Sequence, residues 1–146
     1  MYKLLLLLVT GILLSGCGTT ISSQVQTNSV PIPNQEDIIR VFFSLIDEKR
    51  IPEAIGMMSE KAISNDSVKQ EWTTQFNDFD SVKVVAVEKS IEENLYKVTL
   101  EAKVNLRAAN YPIPYYGYGD KTDVRFIKLI KDSQGRWKID GIATGP

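Results

Sequence analysis

Residues Leu95 to Arg107 alternate between apolar and polar, and this regularity constrains the fold more tightly than any other feature of the chain. Tyr96, Val98, Leu100, Ala102, Val104 and Leu106 fall on one side, with Lys97, Thr99, Glu101, Lys103 and Asn105 on the other. A period of two places one face on a core and the other in water, the pattern of a long antiparallel strand. Such a strand needs partners. Val82 to Val87 is dense in β-branched residues and reads as a strand before it, and Thr122 to Lys131 as one after it. Asp132-Ser133-Gln134-Gly135 supplies a hairpin turn, so Arg136 to Thr144 returns as a fourth strand with Trp137 and Ile139 on the inner face.

Upstream of residue 80 the period is helical. Asn34 is a good N-cap, Glu36 and Asp37 suit the positive end of a helix, and Ile38, Phe42, Leu45 and Ile46 follow at helical spacing. Ile39, Val41 and Phe43 widen this apolar stripe, so the helix is expected to be mostly buried. Pro52 opens a short second helix that packs through Ala54, Ile55, Met57 and Met58. Ser64-Asn65-Asp66 caps a third, whose packing face runs Val68, Trp72, Phe76, Phe79. The expected fold is α+β, with three N-terminal helices packed on one face of a curved four-stranded antiparallel sheet.

The beginning of the chain carries an address. Met1-Tyr2-Lys3 is a short positive end, Leu4 to Leu14 is almost wholly apolar, and Ser15 and Gly16 are the small residues a signal peptidase needs. Eleven residues are too few to span a bilayer, which takes about 20. Leu14-Ser15-Gly16-Cys17 resembles the lipobox of bacterial lipoproteins at every position. That resemblance implies that the Cys17 thiol takes a diacylglycerol and that residues 1–16 are cut away as a signal peptide. It places the protein on the exported side of the bacterial cell envelope, with the membrane as partner through the lipid. Cys17 is the only cysteine, so no intrachain disulfide can form. Residues 17–34 then form a lipidated tether, rich in Thr, Ser, Gln and Asn, with too little apolar surface to offset the entropy of ordering. Residues 35–146 are the folded domain. With Lys3 removed, sixteen basic residues face eighteen acidic ones, a balance of −2 that argues against a phosphate-tracking surface and hence against nucleic acid as a partner.

Chemistry is scarce. There is no histidine, which removes the most frequent general base and the imidazole metal sites. No Ser-x-x-Lys pair or glycine-rich phosphate loop occurs. Asp78 and Asp80 flank Phe79 and read as a solvated helix end, too few oxygens for a calcium site. No catalytic residue, metal or cofactor is assigned. One loop is distinctive: Tyr111, Tyr115, Tyr116 and Tyr118 crowd between two strands with Pro112, Pro114, Gly117 and Gly119. Tyrosine gives broad contact area at low entropic cost, so these rings are a candidate binding loop for a glycan, a peptide or an envelope protein. Each ring taken singly suits a local lid over the sheet edge or cavity mouth, and the four together suit a binding loop.

The order of elements resembles the nuclear transport factor 2-like superfamily. The likeness rests on Val41 to Ile46 leading into Ile55-Gly56-Met57-Met58, and on Arg125-Phe126-Ile127 with Gly135-Arg136-Trp137-Lys138-Ile139. Lys61 to Ser67 is too short for the strand pair that fuller members carry, which implies a reduced mouth to the cone-shaped cavity. Enzymes of that superfamily use an Asp or His base with Tyr donors inside the cone. Asp123 and Asp140 lie on strands here, and no catalytic role is transferred to either. The leading expectation is a non-catalytic binding domain; a small-molecule enzyme working through carboxylate and tyrosine is the rival.

Overall fold

Helix starts and stops are set by side chains that satisfy free backbone groups. Asn34 accepts a hydrogen bond from the Asp37 N–H at 2.8 Å while Asp37 Oδ2 accepts from the Asn34 N–H at 3.3 Å, a reciprocal capping box. It opens α1, Gln35–Asp47. That helix closes through Lys49, whose φ of +61° lets the Lys49 and Arg50 N–H groups reach Ile46 O at 3.1 Å and Leu45 O at 2.8 Å. Helix α2, Ile51–Gly56, has Pro52 in its first turn. Asn65 accepts from the Val68 N–H at 3.0 Å and opens α3, Asp66–Asn77. The computed structural model describes residues 33–104 and 122–146. Residues 1–32, which hold the Leu14–Cys17 tetrapeptide and most of the tether, and residues 105–121, which hold Leu106 and the tyrosine loop, lie outside the described residues.

The strands are β1 (Phe79–Lys89), β2 (Leu95–Val104), β3 (Thr122–Lys131) and β4 (Trp137–Ala143), in an antiparallel sheet of order β1-β2-β3-β4. The protein is α+β. The alternation of β2 is realised in burial: Tyr96, Val98, Leu100 and Ala102 are buried. Register then assigns the neighbouring residues to the same face, with Val98 opposite Arg125 and Tyr96 opposite Ile127. The hairpin turn at Asp132 forms as its sequence suggests. Asp132 Oδ1 accepts from the Gln134 and Arg136 N–H groups at 2.9 and 3.0 Å, and Gly135 adopts a φ of +76°.

The core joins this sheet face to the helices. Phe42, Phe43 and Phe76 are all but sealed, with centroid separations of 5.2 and 5.5 Å in edge-to-face contact. Trp72 stacks on Phe76 at 5.4 Å and donates its Nε1–H to Ala62 O at 3.1 Å. Three sequence expectations need correction. Val41 is 48% exposed, because it points away from the face that carries Phe42 and Leu45; the helix is amphipathic rather than mostly buried. Met57 and Met58 lie beyond the end of α2. Phe79 begins β1 rather than extending the helical face. Trp137 shares the inner face of β4 with Ile139 as expected, Ile139 sealed and Trp137 half-buried against the core with Lys131 Nζ 4.9 Å from its ring centroid.

Candidate functional site

The residues after α2 do not turn straight into α3. They run alongside β4, where Met58 pairs in parallel with Ile139. The Ile139 N–H donates to Met57 O at 3.0 Å and the Ser59 N–H donates to Ile139 O at 2.8 Å. Beyond this bridge the chain bends away. Ser59 Oγ accepts from the Ala62 N–H at 3.0 Å and donates to Asp140 Oδ1 at 2.6 Å. Asp140 is the extra residue of a bulge, since Ile139 pairs with Leu129 and Gly141 with Lys128. The bulge turns its carboxylate towards Ser59.

Between this segment and the β3–β4 hairpin lies a cleft of about 520 Å³, within the ~300–1,000 Å³ typical of small-molecule sites. Ile55 and Met58, both buried, and Ile63 and Ile130, both half-buried, supply its apolar lining. Glu60, Lys61, Asp132, Arg136 and Lys138 supply its charge. These charges are not equally committed. Arg136 pairs with Asp132 at 2.8 Å. Desolvation pushes the Asp132 carboxyl up, but the Arg136 side chain and the turn N–H groups outweigh it and hold the group below the ordinary range. Lys61 reaches Asp140 at 3.5 Å with its own side chain 83% exposed, a loose pair of little energetic weight. Lys138 Nζ donates to Gly56 O at 2.6 Å, at the carbonyl end of α2. No carboxylate pairs with it among the described residues.

The two strand aspartates stand apart. Asp123 faces Leu100 and Asp140 sits near the level of Lys128, about 18 Å further along the sheet at the usual rise per residue. Arg125, buried on the inner face, clamps Asp123: Nη1 donates to Oδ1 at 2.7 Å and Nη2 approaches Oδ2 at 2.6 Å. The second contact is an ion pair without hydrogen-bond alignment, which leaves Oδ2 short of a well-directed donor. Each aspartate is engaged by a cation of its own chain, Asp123 closely by Arg125 and Asp140 loosely by Lys61.

Asp78 also departs from expectation. Asp80 is exposed, but one oxygen of Asp78 is enclosed and, among the described residues, lacks a hydrogen-bond partner, as does Gln75 Oε1 one turn earlier. Burial raises the Asp78 carboxyl above the usual aspartate value and the Lys49 charge lowers it. Lys49 Nζ itself donates to Asn77 O at 3.3 Å and to Phe79 O, a cation at the negative end of α3. Tyr96 donates its hydroxyl to Gln35 Oε1 at 2.7 Å, and burial, aided by the Glu36 charge, pushes its phenol up. Tyr96 is therefore a structural donor. Among the described residues no group of three or more acidic or thiol side chains could hold a metal, and no helix is long and apolar enough to cross a membrane.

Sequence reasoning overlooked the cleft. Ser59, Lys61 and Lys138 carry no periodic signal, and 81 residues separate Ser59 from its partner Asp140. Of the residues singled out beforehand, Cys17, Leu14, Ser15, Gly16, Tyr111, Tyr115, Tyr116 and Tyr118 all lie outside the described residues.

No protein-family model matches the chain, and a search of curated proteins finds no match. Among solved structures it is similar to a SEC-C motif-containing protein from Psychrobacter arcticus, with 12% identity and a TM-score of 0.46. The alignment covers 79% of this chain and 63% of that one, a likeness too distant to carry an argument about fold or function.

Proposed function

We propose that this is a lipid-anchored protein of the bacterial cell envelope whose folded part binds an envelope ligand or partner without catalysing a reaction. The observation that carries the reading is Leu14-Ser15-Gly16-Cys17 at the end of the apolar run. Cys17 would then bear the lipid, and residues 17–34 would hold the domain away from the bilayer. Two acyl chains suffice for stable anchoring where one gives only marginal binding. In its finer form the fold is three helices laid on one face of a curved sheet, in the manner of the nuclear transport factor 2-like superfamily. Binding rather than catalysis is supported by the absence of histidine and by the engagement of Asp123 with Arg125 and of Asp140 with Ser59 and Lys61. The cleft beside β4 is the site we assign to the ligand.

Labelled palmitate tests the anchor. Wild type should incorporate label and fractionate with membranes, whereas Cys17→Ala should do neither. Equal incorporation into both proteins would remove the basis of the proposal.

A further inference from the structure

The geometry of the cleft points to an amphipathic carboxylate, an acyl chain whose head group meets Lys138. This rests on the cleft being the ligand site and goes on to name the chemistry it selects. The tail has its surface in Ile55, Met58, Ile63 and Ile130. The head has a cation already in position: the Gly56 carbonyl holds Lys138 Nζ at 2.6 Å. An ammonium has three donors, and Gly56 takes one. Lys61 and Arg136 each face a carboxylate, Asp140 and Asp132, whereas Lys138 has none among the described residues. The charged lining residues comprise three cations against Glu60 and Asp132. With the Asp140 that faces Lys61 counted, cations and carboxylates around the cleft balance, and the unmatched positive charge is local to Lys138.

Each competing chemistry meets an obstacle. A cationic ligand would sit against an uncompensated Lys138. A purely apolar ligand would strip water from the two remaining ammonium donors and offer nothing in exchange. A carboxylate replaces that water with charge-assisted hydrogen bonds, and its chain covers the apolar lining.

The test is calorimetric titration of octanoate, octanol and octylamine into the full lipid-anchored chain in nanodiscs, with protein-free discs as the blank. Octanoate should bind saturably at one site, and the other two compounds at least about tenfold more weakly, the worth of one charge-assisted hydrogen bond. Lys138→Met, which keeps most of the aliphatic stem, should weaken octanoate by about the same factor and leave octanol unchanged. Ile63→Glu should abolish binding of octanoate, while Lys83→Met, on β1, should not alter it. Octanol binding as tightly as octanoate would overturn the carboxylate assignment and leave the cleft as an apolar site. Absence of saturable binding by any of the three, or octanoate binding indifferent to both Lys138→Met and Ile63→Glu, would overturn the assignment of the cleft itself. Neither result touches the anchor, which the palmitate label reads independently.

Discussion

Strand β1 ends the sheet on one side and β4 on the other, and the two edges are shielded by different means. Along β1 the backbone is broken by irregularities between Phe79 and Ser81 and between Val84 and Ala86, which discourage a further strand from pairing. Asp47, at the end of α1, accepts from the Val82 N–H at 2.8 Å. What remains there is a shallow polar groove of about 220 Å³ bordered by Arg40, Ser44 and Lys83. Along β4 the shield is backbone. Met58 adds one parallel bridge at Ile139, and the chain then turns away under the control of Ser59. A side chain can cap one N–H and leave the helix seated on the sheet. A backbone segment that pairs at one residue and departs leaves a hollow behind it, floored by the buried Ile55 and Met58 and flanked by the half-buried Ile63 and Ile130. Capping closes an edge; brief pairing leaves a cleft.

The largest effect expected from this contrast lies in the bridge itself. Ile139 and Met58 are both almost fully buried, so Ile139→Ala and Met58→Ala should each cost about 2–5 kcal/mol in urea unfolding. A cost for Met58→Ala well under that of Ile139→Ala would mean that the segment rests on β4 without being packed there. Next comes the capped edge. Asp47→Ala leaves the Val82 N–H without its carboxylate and should cost about 1.5–3 kcal/mol, with ligand binding at the β4 cleft unchanged. If that variant also altered binding, the two edges would not be independent.

The smallest effect is a pH dependence at Asp78, where α3 gives way to β1. Burial raises the Asp78 carboxyl, against the opposing charge of Lys49. A carboxyl whose folded value lies above its unfolded value favours the fold most at low pH. That contribution fades as pH climbs from the ordinary aspartate value through the raised one. Only one oxygen is enclosed, so the slope should be shallow. Asp78→Asn should remove it, and thermal unfolding of both proteins across the acid range would reveal the difference. An unchanged slope in the variant would assign the dependence to another group.

The framework was legible because its signals are local. Asn34 and Asn65 cap the helices their positions suggested, and the alternation through Tyr96 and Leu100 became the buried face of β2. Asp132 and Gly135 made the turn their side chains favour. What escaped depends on contacts between distant parts of the chain. Val41 lies in an apolar run whose sealed side depends on how α1 seats on the sheet. Phe79 continues a helical spacing but is drawn into pairing with Val104. The facing of Asp140 could not be read from alternation, because a bulge breaks the alternation at that residue. Arg125 sits on an inward-facing position of β3, which a simple apolar pattern would reserve for an aliphatic side chain. The cleft was invisible for the same reason, being built from a post-helix segment and a hairpin that meet only in the fold.

The account turns on the claim that ligand enters beside β4 and not beside β1. Methyl-labelled full chain in nanodiscs, titrated with octanoate, addresses both edges in a single spectrum. The account predicts saturable shifts at the Met58, Ile63 and Ile130 methyls, with those of Val82 and Val84 unmoved. Shifts confined to the β1 valines, or none at any of these methyls, would contradict it.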